Sequence, residues 1–211
     1  MLSPLQRALV DRFFARTQGF FLTGGAALAG YYFGHRTTED LDFFSTESSL
    51  EEGELALTAA AEDAGATIER VKTFPAFQRR IVRRGAESVV VDLVRDPTAS
   101  QLPKEQRGSV RLDSLLEILA NKLCALLGRS ELRDLVDAFV LERRGGLTAE
   151  EALPIALQKD RGATPGQLAW VLSQIRIGND AHIPAGISSV DLQAYLVDLI
   201  ARLSRLAKPP S

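Results

Sequence analysis

The sequence predicts an α+β fold, with strands and helices mixed in the N-terminal half and helices alone in the C-terminal half. Three observations carry this. Strand-like runs at 20–23, 40–45, 67–73, 77–83 and 88–94 are interspersed with helical stretches before Asp96. From Asp113 onward, apolar residues recur only at helical spacing. Between the halves, residues 95–109 are rich in Pro, Gln, Lys and Gly and read as a connection. Two lobes are therefore expected, at 1–110 and 111–211.

Each element has its own signal. Ser3-Pro4 starts a helix over 4–16, with Leu5, Ala8, Leu9 and Phe13 at helical spacing. A short strand at 20–23 stops at Gly24-Gly25. A helix of small residues follows from Ala26 to Phe33, with Gly34 as its C-terminal stop. After the strand at 40–45, Ser48-Ser49 with Glu51 and Glu52 opens a helix that Gly65 ends near Ala64. Turn signals at Pro75 and Gly85 separate the next three strands, and Asp96-Pro97 closes the mixed half. The second half reads as helices near 113–127, 131–143, 148–158, 164–176 and 189–206, with a frayed tail from Lys208 to Ser211.

Composition narrows the function classes. A chain of 211 residues can bury a real core in one large domain or two small lobes, and 45% hydrophobic with 25% charged residues argues against disorder. The 25 basic and 27 acidic residues nearly cancel, so any nucleic acid would have to bind a local patch. One cysteine, Cys124, rules out an internal disulfide framework, and His35 and His182 are too few and too isolated for most zinc chemistry. The N-terminal segment is broken by charges, unlike a signal peptide, and no apolar run nears the ~18 residues of a membrane span. The expectation is a cytoplasmic enzyme without a membrane partner.

The chemistry concentrates in three acids and a glycine turn. Asp40 and Asp42 lie two apart in a strand, so both project to one face while Leu41 and Phe43 project to the other. Two such carboxylates repel by roughly 4 kcal/mol at about 4 Å in an effective dielectric near 20. A cation or basic partner must offset that, and magnesium suits such hard oxygen donors. Asp92 interrupts the apolar run Val89-Val90-Val91-Asp92-Leu93-Val94. It either joins the other two acids or pairs with Arg79, Arg80 or Arg83. Gly24-Gly25, between strand and helix, lets backbone N–H groups approach a phosphate, with the Thr23 hydroxyl nearby.

These residues carry a family resemblance. Thr23-Gly24-Gly25-Ala26-Ala27-Leu28, followed by Gly34 to Phe44 with Asp40-Leu41-Asp42, resembles the first motif of the AbiEii/AbiGii toxin-type nucleotidyltransferases of the DNA polymerase beta superfamily. Val91-Asp92-Leu93-Val94 resembles the strand carrying that superfamily's third acid, and Arg36 and Thr38 match positions the family fills with Arg and Ser or Thr. In the second half, Asn121-Lys122-Leu123 and Arg133-Asp134-Leu135-Val136-Asp137 are similar to a later motif of the family. The resemblance covers roughly 20–45 and 88–140. The family's middle lysine-containing motif has no clean match, and Arg79 or Arg80 are the candidates to replace it.

The resemblance implies a polymerase-beta-like nucleotidyltransferase lobe with a mixed sheet and flanking helices, and an all-helical lobe completing the cleft. It implies transfer of NMP from an NTP to an acceptor hydroxyl with release of pyrophosphate. Asp40, Asp42 and Asp92 would hold Mg²⁺, and Thr23, Gly24, Gly25, Arg36 and Thr38 would cradle the nucleotide. Lys122 would bind phosphate, Asp134 would support catalysis, and Asp137 would hold helix geometry. By kinship the acceptor would be a tRNA 3′ end, with a cognate antitoxin as partner. The alternatives are transfer to another RNA, a protein or a small molecule, or a non-catalytic interaction protein on the same scaffold.

Read from periodicity alone, Lys122 lies at the edge of its helix's apolar stripe and needs an anionic partner or must snorkel. Arg133 and Asp137, at i and i+4, read as a plain surface pair. His35 is expected in a local turn or cap, with a phosphate contact as the alternative, Cys124 on a polar helix face, and Trp170 in the core, with base stacking as the alternative. Arg79, Arg80, Arg83 and Arg84 form the local basic patch, which reads either as a nucleic-acid contact or as a solvated hairpin.

Overall fold

A computed structural model describes residues 1–96, 98, 102–178 and 183–208. His182, Pro97 and the tail residues Pro209, Pro210 and Ser211 lie outside them. The fold is α+β, as the sequence predicts, and the chain forms two compact units, Met1–Ser114 and Leu115–Ser211.

The first unit opens with α1 (Pro4–Phe14), which carries the predicted Ser3 cap: Gln6 N donates to Ser3 Oγ and the Gln6 side chain answers the Ser3 N–H. Then come β1 (Phe21–Thr23), the single turn α2 (Gly24–Ala27) and a π-helical turn, Leu28–Tyr32. The small-residue stretch thus forms a helix as expected, but it widens midway. β2 (Asp40–Ser45) and α3 (Leu50–Asp63) follow, and then the hairpin strands β3 (Thr67–Phe74), β4 (Phe77–Arg84) and β5 (Glu87–Arg95).

The sequence reading missed two elements. Residues 105–112, within or beside the expected connection, hold the hairpin β6 (Glu105–Arg107) and β7 (Val110–Leu112). At three residues each, these strands are too short to show a period, and only pairing defines them, β7 with β1 and β6 with β7.

The seven strands form one sheet in the order β3-β4-β5-β2-β1-β7-β6, parallel at β2–β5 and β1–β7 and antiparallel elsewhere. Strand alternation then divides its faces. Leu41 and Phe43 of β2, Val82 of β4, and Val89, Val91 and Leu93 of β5 are buried beside residues of α1 and α3 such as Leu9, Phe13, Leu57 and Ala60. Phe13 stacks on Phe43 with centroids 4.1 Å apart. Asp40, Asp42 and Phe44 belong to the opposite face and are only partly covered.

The second unit is helical: α4 (Leu115–Arg129), α5 (Leu132–Gly145), α6 (Ala149–Lys159), α7 (Pro165–Leu172) and α8 (Ser189–Leu206), with a 3-10 turn at Pro184–Gly186. Thr148 and Glu151 form a reciprocal cap on α6, and Gly146 ends α5 in the left-handed region. Leu119, Leu123 and Leu126 of α4 and Leu192, Leu196, Leu199 and Leu203 of α8 are buried. Among the described residues, no helix is long and apolar enough to cross a membrane.

Candidate active site

Register assembles the site. Thr23 pairs with Asp42 across β1–β2, Asp42 with Asp92 across the parallel β2–β5 ladder, and Asp92 with Arg79 across β5–β4. Residues paired in register project to the same side of a sheet, and neighbouring strands lie about 4.8 Å apart. The row Thr23–Asp42–Asp92–Arg79 therefore crosses four strands on one face. Asp40, paired with Val90, sits one pleat away on the same face. Residue 92 thus lies beside residue 42, which the parallel pairing requires and chain position alone does not reveal.

Arg79 occupies the end of this row. Its Nε donates to Asp92 Oδ1 at 2.8 Å and its Nη2 to Oδ2 at 2.7 Å, a two-pronged pair. The hydrogen bond to Asp92 raises the guanidinium above its ordinary value; desolvation opposes this, and the charges of Asp92, Asp40 and Asp42 add to it. Asp92 is consequently buried, breaking the alternation of β5. Among the described residues, no three His, Cys, Asp or Glu side chains stand grouped as a ready metal cage. Both Asp92 oxygens are turned toward a guanidinium instead.

The glycine turn closes on the same row. Gly24 adopts φ +64°, and a Cβ there would lie 2.5 Å from Asp42 Oδ2, so only glycine lets the chain pass so close to that carboxylate. A Cβ on Gly25 would meet Arg36 Nη2 at 2.6 Å and Thr38 Oγ1 at 3.3 Å. Gly24 and Asp42, and Gly25 with Arg36 and Thr38, thus lie close together at this turn. Gln6 of α1 donates to the Thr38 carbonyl at 2.9 Å and ties that stretch of chain to the first helix. His35 is buried, its ring edge-on to Phe33.

Thr23 turns elsewhere. Its hydroxyl donates to Asp113 Oδ2 at 2.7 Å, and Lys104 Nζ binds Asp113 Oδ1 at 2.6 Å. Asp113 is fully buried, and the sequence reading did not single it out. The signal available was an acid directly following the alternating Val110-Arg111-Leu112, a strand hidden in the supposed connection.

In the helical unit, Lys122 has anionic partners rather than snorkelling. Its Nζ lies 2.9 Å from Asp134 Oδ1 and 2.7 Å from Asp137 Oδ2, both carboxylates fully buried. Asp134 also takes Arg129 Nε at 2.8 Å and Nη2 at 3.1 Å. Burial alone would lower the Lys122 ammonium, but Asp137 and Asp134 overcome it and hold it above the ordinary lysine value. Desolvation pushes the Asp134 carboxyl up, yet Arg129 and Lys122 outweigh it and leave it below the usual range.

A family model described as "Nucleotidyl transferase AbiEii toxin, Type IV TA system" matches residues 7–199. The chain belongs to the AbiEii nucleotidyltransferase toxin family. Two solved structures from Helicobacter pylori, a candidate nucleotidyltransferase and the protein JHP933, share its fold. Each has a TM-score of 0.59 and 21% identity, over 97% of this chain and 96% of theirs. No protein of curated function matches in sequence.

Several expectations about this AbiEii-family chain need correction. Arg133 and Asp137 are not a plain surface pair: Asp137 is fully buried and meets Lys122 Nζ at 2.7 Å, while Arg133 Nε reaches Glu131 at 2.6 Å. In the basic patch each arginine meets an acid: Arg79 binds Asp92, Arg80 Glu54, Arg83 Glu69 and Arg84 Glu87. Arg80 also projects to the helix-covered face and is 2% exposed, so of the two arginines considered for the missing middle motif only Arg79 stands on the acidic face. Trp170 is 62% exposed rather than core. Cys124 is half-buried, its Sγ 3.6 Å from the Ala156 carbonyl of α6, rather than on a polar face.

Proposed function

We propose that this AbiEii-family nucleotidyltransferase moves NMP from an NTP to an acceptor hydroxyl in a magnesium-dependent reaction centred on Asp40, Asp42 and Asp92. The observation that carries this reading is the parallel register setting Asp42 beside Asp92, with Asp40 on the same face and the Gly24-Gly25 turn against Asp42. Three carboxylates on one side of a sheet are hard oxygen donors of the kind a divalent ion takes, and the absence of a Cβ at Gly24 lets the turn come close to Asp42. The residues therefore fit the group that the family uses.

When bound there, magnesium would supply charge neutralisation for the triphosphate and acidify the attacking hydroxyl. Asp40 and Asp42 would hold it, together with Asp92. An Asp92 carboxylate oxygen accepts the proton from the acceptor hydroxyl. The acceptor oxygen forms a bond to the α-phosphorus as the bond to the β-bridging oxygen breaks, and pyrophosphate leaves. Backbone N–H groups at Gly24 and Gly25, with Arg36 and Thr38, hold the phosphates, and their fixed positions spare the reaction a reorganisation cost. Thr23 acts indirectly, through Asp113. Lys122, Asp134 and Asp137 serve as the charged framework of the helical unit, each already engaged by another of the three.

The division of labour expected from the sequence, a catalytic lobe at 1–110 and a helical lobe at 111–211, is part of this proposal. We take the acceptor to be an RNA 3′ end, tRNA first among them, and the partner to be a cognate antitoxin; both come from the toxin kinship rather than from the site. The test is transfer of radiolabel from α-labelled NTPs to total RNA. Asp42→Ala should abolish labelling while far-UV circular dichroism stays unchanged. Labelling that persists in the variant removes these carboxylates from the reaction, and labelling of protein instead of RNA replaces the acceptor.

A further inference from the structure

The acidic row carries its own cation. Arg79 spends two N–H groups on the two oxygens of Asp92, and the charges of Asp40 and Asp42 act on the same guanidinium. A carboxylate held at both oxygens has no favourable direction left for a metal ion, and a like charge stands where the ion would approach.

The next residue shows the contrast. Arg80 is 2% exposed and held by Glu54, Gln78 and the Lys72 carbonyl, so it has nowhere to go. The Arg79 side chain is 40% exposed, its guanidinium 5.6 Å from the Phe77 ring centroid at the edge of the row. It can turn into solvent without opening the core.

We propose that Arg79 is a positioning residue that holds Asp92 in place of a cation, and that a divalent ion gains Asp92 only by displacing it. This rests on the reading of Asp40, Asp42 and Asp92 as metal ligands. Two consequences follow from charge alone. The protein binds a free divalent ion weakly, because the ion must evict a bidentate partner. A triphosphate arriving with the ion offers the displaced guanidinium a new anion, so metal and nucleotide bind each other's complex more tightly than either binds alone.

The experiment measures Mn²⁺ binding to the full chain by the electron paramagnetic resonance of free Mn²⁺, without nucleotide. Wild type, Arg79→Gln and Arg79→Lys are compared, each with and without Asp42→Asn. Arg79→Gln should bind Mn²⁺ roughly tenfold more tightly than wild type, the order expected when a unit charge leaves the neighbourhood of a divalent ion in a water-like dielectric. Arg79→Lys should fall between, since an ammonium cannot hold both oxygens in a fork. It carries the same comparison if the glutamine variant fails to fold. Mn²⁺ affinity that is unchanged or weaker in both variants, yet still lost with Asp42→Asn, overturns the role of Arg79 alone. Binding indifferent to Asp42→Asn overturns the metal-ligand reading and this inference with it.

Discussion

Replacing Lys122 with methionine separates a structural lysine from a substrate ligand. The substitution keeps most of the buried stem and deletes one charge between two fully buried carboxylates. Removing one partner of a buried ion pair costs about 3–5 kcal/mol, because the remaining charge loses its compensation without regaining water. Asp134 keeps Arg129, at 2.8 and 3.1 Å, so most of the loss falls on Asp137 and the low end applies, about 3 kcal/mol. For a chain of 211 residues unfolding as one, that corresponds to a fall in Tm of roughly 6–12 °C. Differential scanning calorimetry without nucleotide reads it directly. Adding Asp137→Asn should restore roughly half the loss, since the orphaned charge is then gone. A Tm within about 2 °C of wild type, together with lost NTP transfer, would refute the framework role and return Lys122 to the phosphates.

Two further outcomes follow from the same geometry. Gly25→Ala places a methyl group 2.6 Å from Arg36 Nη2, a flexible end that can move aside. It should raise KM for NTP with little change in Tm, whereas Gly24→Ala, strained at φ +64° and aimed at Asp42 Oδ2, should lower kcat and cost about 1 kcal/mol or more of stability. Acid should also find the helical unit. Asp134 is held below its ordinary value, so its contribution is complete above the unfolded value near pH 4 and is lost as pH falls through the folded one. Denaturant titrations between about pH 6 and 3 should show a steeper stability loss in wild type than in Asp134→Asn, and equal slopes would argue against the depressed carboxyl.

Much of the local structure was written in short-range chemistry. The Ser3 cap, the i and i+2 spacing of Asp40 and Asp42, the turns at Pro75 and Gly85, and the helical periods after Asp113 each depend on a few neighbouring residues, and helices and strands formed there. The final helix runs over Ser189–Leu206, the same span its apolar spacing indicates. Where two or three residues had to act without a period, as in β6 and β7, the pattern was silent. Side-chain roles set by distant partners were also hidden. A row of four arginines in one hairpin looks like a charged patch until the strands show which acid each one meets. Trp170 has helical neighbours suited to a core, but burial depends on what packs over it.

The kinds of residue and their one-dimensional spacing were enough to indicate an α+β chain with an acid pair on one strand face and a glycine turn between strand and helix, because strand alternation and backbone freedom act over a few bonds. Placing Asp92 next to Asp42, setting Arg79 against Asp92, and enclosing Lys122 between Asp134 and Asp137 required strand order and helix packing. These pairings join residues 12 to 50 positions apart (Lys122 to Asp134, Asp42 to Asp92), and nothing in their local sequence distinguishes such partners from others of the same charge. Charge interactions act through space, so only the folded chain decides which opposite charge is near enough to count.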